Sequence, residues 1–520
     1  MKSSIAPRSV NSVDDLHLAQ RHSDRRLFII IFAIVFGLTP LLTLAGEKIG
    51  FSTVVGLSVV LAVVVLIVRW PVLGLYVVAG CALLVEADPL VLNGHPAYSL
   101  YVFYWPPRYA GLIERPIGFL LLFIFLMVLC QRLVKRQGLL QGGKLFLPFL
   151  FFLLCVAGGI VHGLISGGDF KIIVVEVRPF WYLFLSYLLA YNLVQHKDHV
   201  RLLFWLVIVS AGIKSLEGVY IYLVVYHAGH ITYNELMAHE ESFFFAALLL
   251  LVILFCLHYR YRPQLYAALL IVAPVLIALV ANKRRADYIA LLVGFIVAWV
   301  LVIVAKPHAR KGLIIALVIF AVLIAGYVAA FSNAGGILAE PARAITSLYH
   351  PDPRDALSNL YREIENYDLK YTAKVNPLGL GFGKEFLQPY VLPNILAGDP
   401  YYLYIPHNTI YWVWMRLGVI GFCALLYLIA AIIVRGCLIV RQLRDRYLQL
   451  VAIYVVAITF MEVFVAYADY QLFYYRNVIY LGLLIGILMK LPSLDREKEQ
   501  PVHENSHRVR PAAASGQRGG

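Results

Sequence analysis

The sequence has 520 residues, 61% of them hydrophobic and only 14% charged, with a mean hydropathy of +0.78. The apolar share lies far above, and the charged share far below, those of a water-soluble domain, so a soluble fold is excluded. The formal net charge of +14 sits mostly in short basic loops between apolar runs, which makes anionic membrane lipids its partner and argues against nucleic acid.

The chain opens on a polar tail, residues 1–26, that carries Arg21, Arg25 and Arg26. The first apolar run begins at Leu27 with no small-residue cleavage site behind it, which reads as a retained anchor and not a cleaved signal. Runs long enough to span begin near Leu27, Phe51, Pro71, Pro116, Leu145, Glu176 and Leu202, and again near Glu241, Gln264, Arg284, Gly312, Pro406, Gln449 and Arg476. At roughly 20 residues per crossing this is an all-α polytopic membrane protein with about 14 transmembrane helices, within a range of about 12 to 14. The third run, Val72 to Val85, is short and ends in Glu86 and Asp88, so it either spans or re-enters. Helices 1–11 are expected over residues 27–332, a large loop over 333–405, helices 12–14 over 406–490, and a disordered polar tail over 491–520. No fixed-period repeat and no low-complexity tract interrupts this single membrane domain. Cys81, Cys130, Cys155, Cys256, Cys423 and Cys437 lie in or beside apolar runs without CxxC or Cys/His zinc spacing, and read as small core residues.

Orientation follows from the basic loops, because Lys and Arg stay on the cytoplasmic side during insertion. Arg132/Lys135/Arg136, Lys197/Arg201, Arg260/Arg262, Lys306/Arg310/Lys311 and Arg435/Arg441/Arg444/Arg446 alternate onto the side of the N-terminal tail. Both termini are therefore expected in the cytoplasm, and the loop of residues 333–405 on the outer face.

Cations on the outer face need a reason other than topology. Lys283, Arg284 and Arg285 open a helix in ANKRRADYIALL, with Asp287 three residues after Arg284. A local Arg284–Asp287 pair is one reading, but one acid does not neutralise three cations. The remainder suits a guanidinium fork that binds a phosphate or diphosphate bidentately. Arg178, in VVEVRPFWYLFL, is a second outer arginine; Pro179 suggests a helix first turn, and Glu176 offers a structural pair as an alternative to a ligand role.

His407, in YIPHNTIYWVWMRLGVIGF, directly precedes a helix that Asn408 or Thr409 is able to cap. The positive end of that helix dipole favours a neutral imidazole, which can act as a base. His227, His230 and His239 with Glu235, Glu240 and Glu241 match no strong metal spacing and read as a solvated outer loop. In NPLGLGFGKEF, residues 376–386, Leu378 and Glu385 stand where a Walker A loop needs Gly and Ser or Thr. Gly379, Gly381 and Gly383 instead let the backbone turn tightly where the large loop returns to the membrane.

Three of these segments, in this order, resemble the O-antigen ligase and polymerase family of bacterial membrane glycosyltransferases. NKRRADYIALLVGF resembles the family's outer-face arginine motif, SNLYREIENYDLKYTAKVNPLGLGFG its loop helix and Pro-Leu-Gly-x-Gly turn, and PHNTIYWVWMRLGVIGF its closing His-Asn motif with Gly-x-x-Gly, here Gly418 and Gly421. The resemblance covers residues 280–435. Lys283, Arg284, Arg285 and Ala286 stand where the family usually has Ser-Arg-Gly, which leaves open which arginine is the equivalent. The loop from His227 to Glu241 lacks the arginine that family ligases tend to place there, so Arg178 or a histidine would stand in.

The resemblance implies a GT-C-like fold in the bacterial inner membrane, with a large periplasmic loop that contains short helices. It implies an undecaprenyl-diphosphate-linked glycan as donor, a glycan or lipid as acceptor, and other polysaccharide assembly proteins as further partners. It also implies direct displacement with inversion and no cofactor; no acidic pair of metal-ligand type sits on an early outer loop, so no divalent metal is expected, with Glu86 and Asp88 as the only rivals. His407 would be the general base, Arg284, Arg285 and Arg178 the diphosphate ligands, and Arg362 and Asn408 the residues that orient substrate. A polysaccharide flippase would carry its charges along helix interiors near the midplane, and a non-catalytic assembly protein would not need the histidine. Ligase and polymerase stay undivided, because they differ in the acceptor.

Overall fold

The computed structural model describes residues 61–85, 91–92, 95–96, 115–136, 138–227, 236–334, 336–347, 349, 351, 353–393 and 401–496. The chain divides into two compact units, Met1–Gly74 and Leu75–Gly520. In the first, residues 61–69 are helical. The run expected from Leu27, and Glu86 and Asp88, lie outside the described residues.

The second unit is helical apart from the two-residue strands β1 (Val91–Leu92) and β2 (His95–Pro96), which pair antiparallel. The helices are α1 (Pro71–Leu84, which starts in the first unit), α2 (Pro116–Val134), α3 (Phe146–Ile165), α4 (Phe170–Leu193), α5 (Lys197–Tyr220), α6 (His239–Leu257) and α7 (Arg262–Ala281). They continue as α8 (Arg285–Ala305), α9 (Arg310–Phe331), α10 (Glu340–Thr346), α11 (Pro353–Val375), α12 (Thr409–Gln442), α13 (Arg446–Ala468) and α14 (Tyr475–Arg496). Among the described residues, 11 helices are long and apolar enough to cross a membrane. With satisfied backbones and apolar side chains, such helices suit a lipid solvent.

α6, α13 and α14 form the core, with most of their side chains buried. α9 has no buried residue and stands at the periphery. Such a helix is apolar on all sides because its surroundings are hydrocarbon, not because it lies in a protein core. The same reasoning revises the reading of the cysteines. None of the six forms a disulfide, yet only Cys81 is buried, while Cys130, Cys256 and Cys423 face outward.

Two helices depart from the expected boundaries. α4 starts at Phe170, capped by Asp169, whose side chain accepts from the N–H groups of Lys171 and Ile172. Pro179 therefore lies inside the helix and not in its first turn, at the cost of one helical hydrogen bond. α14 continues through Pro492 to Arg496, beyond the expected start of a disordered tail at residue 491. Leu494 is buried there, and Asp495 accepts from the N–H groups of Arg444 at 2.9 Å and Asp445 at 3.0 Å, which extends the packed helix by a turn. Residues 497–520 lie outside the described residues.

The glycine-rich turn does more than reverse the chain. α12 breaks at Gly418, whose φ of 66° and ψ of −168° are non-helical, and the break leaves helical carbonyls unpaired. Leu380 N–H donates to the Met415 carbonyl at 2.8 Å and Gly381 N–H to that of Arg416 at 3.1 Å, while Val419 N–H donates to Pro377 at 3.1 Å. A Cβ on Gly379 would stand 2.5 Å from the Arg416 carbonyl oxygen, and one on Gly418 would stand 2.4 Å from the Leu378 carbonyl carbon. Only glycine permits both the positive φ and this approach.

Arg416 locks the inserted turn from inside. Fully buried, it pairs with Glu176 at 2.5 Å and donates to the carbonyls of Gly381 at 3.1 Å and Tyr404 at 3.0 Å. Glu176 also accepts the Gly383 N–H at 2.6 Å. The acid weighed as a partner for Arg178 thus belongs to an arginine far along the chain. Arg178 instead donates to the Tyr475 hydroxyl at 3.0 Å, and its guanidinium lies 5.6 Å from that ring.

Candidate functional site

At one end of the bundle α6, α8, α12 and α14 begin and α7 and α13 finish. The loop between α9 and α12, with α10 and α11, belongs to this end, and the basic turns Lys197–Arg201, Arg260–Arg262, Lys306–Lys311 and Arg441–Arg446 belong to the other.

The arginine motif sits at the α7–α8 corner. α7 stops because Asn282 and Lys283 leave the helix, with Lys283 in the left-handed region at φ 55°, a position usually held by glycine. Buried Asn282 then anchors the preceding loop. Its Oδ1 accepts from the N–H groups of Leu236 at 3.0 Å and Met237 at 2.8 Å, and its amide donates to the Ser242 hydroxyl at 2.8 Å. The Tyr288 hydroxyl closes the corner by donating to the Val280 carbonyl at 3.2 Å.

The two arginines go different ways. Arg285 donates to the Ser347 hydroxyl at 3.0 Å and to Asn359 Oδ1 at 3.4 Å, which ties α8 to the loop helices α10 and α11. Arg284 is the residue before the first turn of α8, on the side of Tyr470, whose hydroxyl senses its charge. Asp287 is 2% exposed, its Oδ1 has no hydrogen-bond partner among the described residues, and the charge of Arg284 acts on its carboxylate, as a local pair in the motif requires.

His407 is positioned by α11. The buried stripe of this helix, Tyr361, Glu365, Asp368, Leu369, Thr372 and Ala373, has helical spacing but includes two acids and a threonine. Each polar member holds a piece of loop. Asp368 accepts the Tyr390 N–H at 3.3 Å, and Thr372 Oγ1 accepts the Leu387 N–H at 3.0 Å. Burial pushes the Asp368 carboxyl up to about 6 against that N–H, with the Glu365 charge adding to the rise. Glu365, 1% exposed, accepts the His407 backbone N–H at 3.0 Å and lies 3.1 Å from His407 Nδ1.

Next to it, Asn408 caps α12 as expected, accepting the Tyr411 N–H at 3.0 Å, and its amide donates to Asn366 at 2.9 Å. Asn408 is 1% exposed, and both ends of its amide are engaged within the protein. The imidazole packs edge-on between Tyr361 and Tyr470, each ring centroid 5.5 Å away, and keeps 17% of its side-chain surface open.

The turn between α13 and α14 joins the two halves. The buried Asp469 lies 3.3 Å from His239 Nδ1. Burial alone would raise the proton affinity of Asp469, but the hydrogen bond and field of His239, with those of His407 and Arg362, overcome it and hold the carboxyl below the usual range. Tyr470 stacks near Tyr474 at 4.9 Å and lies 6.2 Å from the His239 ring. Burial and the Asp469 charge push its hydroxyl above the ordinary tyrosine value. Beneath the turn, the Asn477 amide donates to Gln471 at 2.6 Å and Glu462 at 3.3 Å, which fixes its path.

His407 thus lies against Tyr470, while the charge of Arg362 acts on Asp469 and that of Arg284 on the Tyr470 hydroxyl. Arg285 faces the loop helices, and Arg178 lies behind Tyr475. The solvated-loop reading of residues 227–241 is corrected where it can be followed. His239, Glu240 and Glu241 start α6, and Glu241 is buried in ion pairs with Arg476 at 2.6 Å and Lys214 at 3.6 Å. Charges that water would solvate are here neutralised inside the bundle. His230, Glu235 and the side chain of His227 lie outside the described residues.

Glu365, Asp469, Asn282 and Tyr470 were not singled out from sequence. The available signals were an acid one helical turn after Arg362 and a lone acid in a short turn between two spanning helices.

Residues 270–426 match the family model described as O-Antigen ligase. That segment runs from α7 through the arginine motif, the loop helices and the glycine-rich turn to His407 and the Gly418 break. The chain is a multi-pass helical membrane protein whose segment 270–426 is similar to the O-antigen ligase family, in line with the resemblance of its three motifs. No curated protein matches the chain.

Proposed function

We propose that this protein is an inverting glycosyltransferase that takes a glycan from undecaprenyl diphosphate at the periplasmic face of a bacterial inner membrane and joins it to an acceptor hydroxyl. The observation that carries the reading is His407 packed against Tyr470 in the turn Asp469–Tyr470, at the end of the bundle opposite the basic loops, with the charge of Arg284 acting on the hydroxyl of the same tyrosine. His407 takes the proton of the acceptor hydroxyl as its oxygen attacks the sugar C1. The C1–O bond to the diphosphate breaks, and the electron pair departs on the diphosphate, where Arg284 meets the developing charge. Arg285 holds the loop helices against this site, and Arg362 orients a substrate.

An apolar cavity of about 240 Å³ lies beside the arginine corner, lined by Leu249, Leu279, Val280, Tyr288, Pro341 and Ile345 among others. A ligand with an anionic head and an apolar chain suits that juxtaposition.

In proteoliposomes supplied with an undecaprenyl-diphosphate-linked glycan, the protein should transfer glycan to a lipid acceptor or to a second donor molecule and release undecaprenyl diphosphate, in the presence of a chelator. Which acceptor is used separates ligase from polymerase. Donor binding without transfer to either acceptor would remove the enzymatic reading and leave a transporter or assembly protein.

The outer placement of the loop is checked separately. In intact cells, His350→Cys should react with a membrane-impermeant thiol reagent. Labelling only after the membrane is broken would reverse the orientation and sink the periplasmic site.

A further inference from the structure

We infer that Glu365 is the positioning residue for the base, holding His407 in the one tautomer that can accept the acceptor's proton; this rests on the general-base reading of His407. The carboxylate is bound at both oxygens. Oε2 accepts the backbone N–H of His407 at 3.0 Å, and Oε1 lies 3.1 Å from Nδ1 of the same residue. A carboxylate oxygen only accepts, so the proton of a neutral imidazole must sit on Nδ1 and the lone pair on Nε2. Two contacts to one residue fix the ring about its side-chain torsions as well as its tautomer. Tyr361, one turn earlier on the same helix, and Tyr470 close the ring edges at 5.5 Å, so the free path of the imidazole leads out through Nε2.

The placement has a reason in the chain. Glu365 and Asn366 are consecutive on α11, and they hold the consecutive residues His407 and Asn408 at the start of α12. The loop helix therefore acts as a clamp on the beginning of a membrane helix, and at 1% exposure the Glu365 carboxylate is shielded from water. When Nε2 takes the proton, the imidazolium forms beside this buried charge, which stabilises it more than a solvated acid would. Nothing is consumed in this role: the proton moves from the acceptor hydroxyl to Nε2, and the Nδ1 proton stays between His407 and Glu365.

Glu365→Gln is nearly the same size, but it removes the charge and can donate its amide to Nδ1, which favours the wrong tautomer. It should lower kcat by about 10²-fold or more, while KM for the lipid-linked donor and for the acceptor stays unchanged. Glu365→Asp, which keeps the charge on a shorter arm, should recover part of kcat. A residue that acts only through His407 has nothing further to lose once the histidine is gone, so Glu365→Gln should add no loss in a His407→Gln background. Wild-type kcat in Glu365→Gln would overturn the proposal, and so would an undiminished further loss in the double variant, which would mark Glu365 as part of the fold alone. Full transfer by His407→Gln would instead remove the general-base reading itself.

Discussion

His407→Gln should remain inserted and abundant and bind the lipid-linked glycan, yet transfer it about 10²–10⁴-fold more slowly, the range a general base contributes. Glutamine fills similar space and keeps hydrogen-bonding groups, while the backbone N–H that docks on Glu365 is untouched. The imidazole is 17% open and packs between Tyr361 and Tyr470, a space that a glutamine of similar size still largely fills. What disappears is the ring nitrogen that takes the acceptor's proton. Single-turnover rates on purified protein, set beside donor affinity, separate chemistry from binding. Transfer at the wild-type rate would show that another group deprotonates the acceptor.

Arg284→Ala should lower transfer by about 10²–10³-fold, the usual loss when one preorganised donor to a developing oxyanion is removed. Lysine at 284 should rescue poorly, because a single ammonium cannot reproduce the bidentate fork toward a diphosphate. Arg285→Ala should differ in kind. Its guanidinium binds Ser347 and Asn359, so its loss should loosen α10 and α11 and appear first as lower thermal stability and a higher KM. Full activity in the double alanine variant would show that neither cation serves the chemistry.

The contrast between these arginines shows where reading the chain alone stops. They are adjacent and chemically identical, and periodicity gives no ground for choosing between them. The difference comes from Ser347 and Asn359, which lie 62 and 74 residues away from Arg285. Glu176 is similar. Its nearest cation in sequence is Arg178, yet it pairs with Arg416 across the bundle. In a membrane interior a carboxylate must be neutralised by whichever cation the fold delivers, and sequence proximity on a helix points Glu176 and Arg178 in different directions.

Hydropathy by itself determined the class of this protein and the location of most of its helices, because a membrane asks each span separately for roughly 20 apolar residues. Local chemistry determined the cap at Asn408, the glycines of the turn at 379–383 and the His407 position at the head of α12, since caps and positive-φ turns involve only a few neighbouring residues. Tertiary structure alone decided that α11 clamps His407 through Glu365, that His407 packs against Tyr470, and that the glycine-rich turn is built into the break of α12. Those contacts link segments tens to hundreds of residues apart. No local preference encodes them, because each polar group in them is satisfied only when helices from distant parts of the chain pack together.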